Sequence, residues 1–358
     1  MSYFRPNIDA MAGYVPGEQP ASGTKIIKLN TNENPYPPSP HAMSVLHEID
    51  GELLRRYPHP MAQSFQDAVS QALGVPPDWI LVGNGSDDLL TMLMRACTQP
   101  GRRVVYPMPT YVLYQTLANI QDADIVEVPF PDDYTLPVEA LVKAEGAVTF
   151  VASPNSPSGT GISIELLDKL AAQLSGILVI DEAYADFADA NALDLVQIYD
   201  NVIVLRTLSK GYSLAGLRLG FGIANPTLLS GLIKVKDSYN VDAIACLVGA
   251  AAIADQQYKD AMAQMVIAER QVMADRFAQL GFYVFPSQSN FLLVQPPEHI
   301  RHDGAPTVAG FLYQELKQRG ILVRYFKQPR LSNKLRVTVG TPEQNALLFQ
   351  LLDDILSS

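Results

Sequence analysis

Cysteine is scarce, with two in 358 residues, Cys97 and Cys246. Both lie in apolar, helix-like surroundings, Leu-Met-Arg-Ala-Cys and Ala-Ile-Ala-Cys-Leu. They read as small core residues in a reducing compartment, not as a disulfide or a metal pair. The five histidines, His41, His47, His59, His299 and His302, show no zinc-type grouping, and the close pair falls in a polar, Pro-flanked loop, so no metal is expected. No apolar run is long enough to span a bilayer. The start, Met-Ser-Tyr-Phe-Arg-Pro-Asn, lacks the basic segment and apolar stretch of a secretory signal. The expected location is the cytoplasm, with no membrane partner. Positive charge is also short: 26 Lys and Arg face 37 Asp and Glu, a net charge of −11. That balance argues against nonspecific binding to nucleic acid or anionic lipid. Any anionic substrate must be met by locally placed cations.

What is present is an ordinary globular composition, 48% apolar and 18% charged. The length suits two domains, and there are no repeats or low-complexity tracts. The first forty residues, rich in Pro, Gly and Asn, cannot make a core and read as an arm laid over other structure. Arms of this kind often cross to a partner subunit. Helical patterns run from Ala42 to Arg56 and from Met61 to Leu73, where Gly74 stops the second. Strand and helix then alternate, with apolar strands at Ile80-Leu-Val, Val104-Val-Tyr, Ile125-Val-Glu-Val, Val148-Thr-Phe-Val, Ile177-Leu-Val-Ile, Val202-Ile-Val-Leu and Leu219-Gly-Phe-Gly-Ile. Continuous apolar strands in a βα rhythm predict an α/β fold whose mostly parallel sheet is covered on both faces. From Ala243 to Leu280 the chain is helix-rich. Strands at Phe291, Ile321 and Leu335 follow, with helices over Val308–Lys317 and Pro342–Leu356, which suggests a smaller α+β domain. The expected division is an arm over 1–29, a large domain over 30–245 and a small domain over 246–358.

Thr207-Leu-Ser-Lys-Gly-Tyr-Ser-Leu-Ala-Gly-Leu-Arg-Leu-Gly220 follows one of these strands. Lys210 therefore sits past a strand's carboxyl end, the edge where open α/β sheets bind ligands. A lone lysine there is ordinarily a solvated surface charge. Other segments end strands at the same edge: Pro107-Met-Pro-Thr-Tyr111, Ala152-Ser-Pro-Asn155-Ser-Pro-Ser-Gly159 and Asp181-Glu-Ala-Tyr184. Taken singly these are turn formers, a helix cap and core aromatics. Gly83-Asn-Gly-Ser86 between a strand and a helix forms a phosphate cradle, although Asp87 and Asp88 would repel an anion if they faced it.

Together these segments resemble the fold-type-I pyridoxal-phosphate aminotransferases over nearly the whole chain, and more narrowly the branch acting on histidinol phosphate. The resemblance extends to Tyr14-Val-Pro-Gly-Glu, Leu29-Asn-Thr-Asn-Glu-Asn-Pro, Arg56-Tyr-Pro, Gly85-Ser-Asp-Asp and Leu335-Arg-Val-Thr-Val-Gly-Thr. The resemblance implies a mostly parallel seven-stranded sheet flanked by helices, a smaller α+β domain, and pyridoxal 5'-phosphate as cofactor. It implies that Lys210 anchors the cofactor covalently and then acts as base, that Asp181 pairs with the ring nitrogen, and that Asn155 and Tyr184 hydrogen-bond the ring's phenolic oxygen. Tyr111 stacks on the ring, while Thr207, Ser209, Arg218 and the Ser86–Asp87 backbone hold the phosphate, provided the Asp87 side chain turns away. Arg324 and Arg336 meet the anionic groups of histidinol phosphate, glutamate and 2-oxoglutarate. Tyr14, Tyr57 and Asn155 line the substrate, Tyr57 coming from the other subunit of a homodimer. The implied reaction is transamination of imidazole-acetol phosphate by L-glutamate, in histidine biosynthesis. Two departures stand out: the cradle reads Gly-Ser-Asp-Asp where Gly-Ala-Asp-Glu is common, and a short loop of its own separates the two arginines. An aromatic-amino-acid aminotransferase and a threonine-phosphate decarboxylase fit the same scaffold. A nicotinamide-dependent dehydrogenase would leave Lys210, Asp181 and Asn155 without a role, and its full glycine fingerprint is missing.

Overall fold

The structure is a computed structural model that describes residues 2–13, 17–20, 23, 26–300, 302 and 304–357. Twelve strands form two sheets: β1 (Ile27–Leu29), β2 (Ile80–Gly83), β3 (Arg103–Met108), β4 (Asp124–Pro129), β5 (Val148–Ala152), β6 (Ile177–Asp181), β7 (Val202–Thr207), β8 (Gly220–Ala224), β9 (Tyr283–Val284), β10 (Phe291–Gln295), β11 (Ile321–Tyr325) and β12 (Leu335–Thr338). The larger sheet has the order β2-β8-β7-β6-β5-β3-β4. Every neighbouring pair in it is parallel except the two involving β8, which runs antiparallel to β2 and β7.

Strand alternation explains why this sheet is buried on both faces. Val105, Val151, Ile180 and Val204 point into one apolar cluster, which also holds Phe65 and Val248 from helices Gln63–Leu73 and Ala243–Ala254. Their neighbours Val104, Phe150, Val179 and Leu205 point into another, which includes Leu89 and Leu93 from helix Ser86–Cys97 and Tyr114 from helix Leu113–Ile120. Each such side chain withdrawn from water contributes about 1.5–3 kcal/mol. Apart from the edge strand β4, which is partly exposed, the strands read as apolar runs because neither face meets solvent.

The smaller sheet has the order β1-β11-β12-β10-β9 and is mixed, with β1 parallel to β11 and the other pairs antiparallel. It packs on helices Gln256–Gln279, Val308–Gln318 and Pro342–Leu356 around a separate core that includes Phe277, Leu312 and Leu348. Helix Pro342–Leu356 begins where the sequence marks it, because Thr341 and Gln344 form a reciprocal capping box ahead of Pro342. Two sequence expectations differ. The helix expected over Ala42–Arg56 is two short ones, Pro40–Val45 and Gly51–Leu54, since the Asp50 side chain accepts the Leu53 N–H and starts a new helix there. The other lies within the arm, where Ile27–Leu29 forms a strand of the smaller sheet.

Earlier in the arm, helix Pro6–Ala10 lies over helix Leu113–Ile120 of the same chain. Arg5 and Asn7 donate to the carbonyls of Ile120 and Asn119 at that helix's carboxyl end.

Candidate functional site

The carboxyl ends of β3, β5, β6 and β7 and the start of the antiparallel β8 share one edge, where Thr207 and Gly83 both pair with Gly220. A cavity of about 390 Å³ opens along that edge. One wall comes from the smaller sheet through Arg324 and Arg336, and Gly17 and Gln19 of the arm close the side.

At one end lies the cradle. Gly85 caps helix Ser86–Cys97 without any side-chain bond, so its first N–H groups remain available to an anion. Gly85 has φ +77°, and a Cβ there would lie 2.6 Å from the Arg218 guanidinium; a Cβ on Gly220 would lie 2.5 Å from the Ser86 nitrogen. Only glycine permits both approaches. Arg218, itself left-handed at φ 55°, directs Nη1 to Ser209 Oγ at 3.4 Å. The buried Thr207 hydroxyl donates to Ser209 Oγ at 3.0 Å and accepts from the Ser209 N–H.

Asp88 turns away, accepting from the Asn84 N–H and from Asn240. Asp87 does not, which corrects the sequence expectation. Its carboxylate accepts from Arg218 Nη2 at 3.4 Å and from the Tyr111 hydroxyl at 3.3 Å. The physical reason is the half-exposed guanidinium beside it, which outweighs any repulsion by a distant carboxylate. A phosphate at this cradle therefore competes with Asp87 for Arg218.

On the cavity floor, Asp181 is 5% exposed. Burial pushes its carboxyl up to about 6, while hydrogen bonds from Tyr114 and the Ala183 N–H pull the other way. Tyr114 is fully buried and stacks on Phe150 with centroids 4.7 Å apart, and its hydroxyl donates to Asp181 Oδ2 at 2.7 Å. Desolvation and the adjoining carboxylate raise the Tyr114 hydroxyl well above the usual phenol range, so it remains a donor. Among the described residues no cation pairs with Asp181, although it lines the cavity. A buried carboxylate held in this way suits a protonated ring nitrogen of a ligand.

Next to Asp181, Glu182 is buried and raised by desolvation, yet it is paired with Arg206, whose Nε donates at 2.6 Å, and it accepts the Ala192 N–H. This bridge joins the ends of β6 and β7, the two strands that present Asp181 and Lys210.

Lys210 Nζ donates to the Thr31 carbonyl at 3.2 Å and stands 5.8 Å from the centroid of the Tyr184 ring. The Tyr184 hydroxyl accepts from Asn32, and its ring meets Phe291 edge-on at 5.2 Å. Arg336 Nη2 donates to the Asn30 carbonyl at 2.9 Å and Nη1 to Ser156 Oγ at 3.1 Å.

Ser86, Asp87, Tyr111, Asp181, Tyr184 and Thr207 thus line the same cavity as Ser209, Lys210, Arg218, Arg324 and Arg336. Asn155 is fully buried behind that lining, with its amide donating to the Pro109 carbonyl and Ser158 Oγ and its oxygen accepting from Thr110. Tyr57 is 80% exposed, away from this chain's cavity, and stacks on Tyr239 at 4.5 Å. Tyr14 lies outside the described residues.

Sequence reasoning passed over Tyr114, Thr31, Asn32 and Phe326. Thr31 and Asn32 stand within the motif Leu29-Asn-Thr-Asn-Glu-Asn-Pro, while Tyr114 lies in the first turn of helix Leu113–Ile120, three residues past Tyr111, which precedes that helix. The site fits a planar ring with a phosphate tail and a reactive carbonyl: a cradle at one end, a carboxylate under the ring, and a lysine amine beside it.

The model of class I and II aminotransferases matches residues 24–352, and the chain belongs to that family. Over full length it is similar to histidinol-phosphate aminotransferase 1 of Trichormus variabilis, 60% identical with 99% of each chain covered. It is 42% identical to the histidinol-phosphate aminotransferase of Geobacter sulfurreducens, covering 98% of this chain and 99% of that one. Among solved structures, the histidinol-phosphate aminotransferase of Sinorhizobium meliloti in complex with pyridoxal 5'-phosphate superposes with a TM-score of 0.89 at 25% identity, over 100% of this chain and 98% of that one.

Proposed function

We propose that this protein is a pyridoxal-phosphate-dependent aminotransferase that transfers the amino group of L-glutamate to imidazole-acetol phosphate, giving L-histidinol phosphate and 2-oxoglutarate. The observation that carries the reading is a single cavity in which Lys210 and Asp181 lie opposite an arginine pair, Arg324 and Arg336. The large domain, over 30–245, holds the cofactor, and the small domain, over 246–358, supplies the arginines. The similarity over full length to histidinol-phosphate aminotransferases supports this assignment.

Pyridoxal phosphate supplies a carbonyl for the amines and an electron sink for the carbanion formed at the substrate Cα. The chain's own residues do the rest. Lys210 Nζ would anchor the cofactor and, as a free amine, would take the proton from the substrate Cα. Asp181 keeps the ring nitrogen protonated, and Tyr114 keeps Asp181 ionised and oriented. Arg218, Ser209, Thr207 and the N–H groups of Ser86 and Asp87 hold the phosphate, with Asp87 yielding Arg218 to it. Tyr111 would pack against the ring, and Tyr184, with Asn155 once it gives up one of its loop partners, would hydrogen-bond the phenolic oxygen. Arg324 and Arg336 accept either a phosphate monoester or a second carboxylate, since a guanidinium fork fits both. This lets one pocket serve both half-reactions.

Tyr14 completes the substrate side, and Tyr57 serves the partner subunit's cavity in a cytoplasmic homodimer. The exposed Tyr57–Tyr239 stack, with Leu54 nearby in sequence and also exposed, supports a face covered by a second copy.

Steady-state assays with histidinol phosphate, phenylalanine and threonine phosphate test the substrate. Histidinol phosphate is expected to give the highest kcat/KM by at least about tenfold, equivalent to 1.4 kcal/mol in the transition state. No transamination of histidinol phosphate alongside good turnover of another substrate overturns the assignment.

A further inference from the structure

Two guanidinium groups stand side by side in this cavity, and the strands alone do not explain how they stay there. Arg324 and Arg336 are direct register partners on the antiparallel β11 and β12, so both side chains leave the same face of the sheet. Like charges directly opposite each other repel. Arg336 donates to the Asn30 carbonyl and Ser156 Oγ, and among the described residues Arg324 forms no hydrogen bond or salt bridge.

The common neighbour is Phe326. Its ring centroid lies 5.5 Å from Arg324 Cζ and 5.7 Å from Arg336 Cζ, and a second ring, Phe291, lies 5.1 Å from Arg336 Cζ. An aromatic face attracts cations through its quadrupole without neutralising them, so the ring steadies both guanidinium groups where they line the cavity.

The ring stands one residue past the end of β11 and turns to a different core. Phe326 packs against the core of the larger sheet, and Leu331, five residues on, is buried in that same core. Between them Arg330, left-handed at φ 67°, donates to the Phe130 carbonyl at 2.7 Å and reaches the Asp132 carboxylate at 3.3 Å. The loop that separates the two arginines is thus pinned to the large domain while the arginines stand on the smaller sheet.

We infer that Phe326 is a positioning residue whose ring aligns Arg324 and Arg336 as one dianion site, for a phosphate monoester or a dicarboxylate. The inference rests on the functional reading above, in which these arginines meet the substrate.

The test titrates 2-oxoglutarate into pyridoxal-phosphate holoenzyme by calorimetry, comparing wild type with Phe326→Leu, which keeps apolar bulk but removes the ring, and Phe326→Tyr, which keeps the ring. Phe326→Leu is expected to weaken binding about tenfold, equivalent to about 1.4 kcal/mol. Phe326→Tyr should stay within about twofold of wild type, and both should retain the visible absorbance of the bound cofactor. In turnover, Phe326→Leu should raise KM for both histidinol phosphate and 2-oxoglutarate with kcat little changed. Equal losses in the Leu and Tyr variants, or no loss in Phe326→Leu, overturn the inference. Arg324→Ala and Arg336→Ala separate it from the reading beneath it. If they weaken 2-oxoglutarate but Phe326→Leu does not, only the role of Phe326 fails; if they too bind normally, the arginine assignment fails with it.

Discussion

The two ends of the cavity are built on different principles. At the cofactor end, Lys210, Asp181, Thr207, Ser209 and the Gly85 cradle all stand at the ends of neighbouring strands of one sheet, and their mutual contacts stay within that sheet and its helices. At the substrate end, Gly17, Asn30, Ser156, Phe326 and Arg336 come from the arm, the larger sheet's loops and the smaller sheet. A site made from adjacent strand ends inherits its precision from the sheet's hydrogen bonds. A site assembled from separate pieces depends on how those pieces are held, here by Phe326, Arg330 and the hydrogen bonds of Arg336. Chemistry common to many substrates belongs on the first kind, and discrimination among substrates can vary on the second.

Four substitutions probe this division. The largest effect is expected from Lys210→Ala, which should lower kcat by roughly a thousandfold or more while thermal unfolding stays near wild type, because the residue contributes chemistry rather than packing. Mixed dimers of Lys210→Ala and Tyr57→Ala chains should regain activity, since one of their two cavities then has both groups intact. Failure to regain it removes the partner role of Tyr57.

Arg336→Ala should raise KM for both histidinol phosphate and glutamate by roughly ten- to a hundredfold, the range for a lost charged hydrogen-bonding group, with the cofactor's visible absorbance unchanged. Unaltered affinity for both substrates would remove this arginine from the pocket. A loss of cofactor would instead show that the two ends are not separable.

The smallest effect concerns Tyr114. The carboxyl of Asp181 lies at about 6 in the folded chain, above the ordinary carboxylate range, and a ring cation beside it favours the ionised form. Cofactor affinity is therefore full above that pH and declines as pH falls through it. Tyr114 lowers the carboxyl's value, whereas Asp87 and Glu182 raise it. Tyr114→Phe should move the decline toward neutral pH, read by absorbance titration of pyridoxal-phosphate binding at a series of pH values. A decline at the same pH in both proteins assigns Tyr114 to packing alone.

The large sheet was legible because each strand is an apolar run closed by a turn, and the order of the runs carries its βα rhythm. The cofactor end was legible for the same reason: a residue just past a strand must lie on the sheet edge, so Lys210, Asp181 and Thr207 could be gathered without coordinates. Other features had no local signature. Ile27–Leu29 is too short and too near Gly and Pro residues to announce a strand, and it forms one only because β11 offers a parallel edge. Asp87 could be expected to turn from an anion, and it faces Arg218 because the guanidinium is there. Asn155 stands where its motif suggests, but its amide is committed to Pro109, Ser158 and Thr110, which no spacing predicts.

By itself the sequence determined the fold class and the sheet edge at which Lys210, Asp181 and Thr207 gather, because strand periodicity and turn residues act over a few neighbouring positions. Tertiary structure alone decided that Tyr114 supports Asp181, that Asp87 pairs with Arg218, and that Phe326 lies against both arginines. These contacts join residues far apart in the chain, or on separately packed elements, and their energies depend on burial and distance, which exist only once the sheets have assembled.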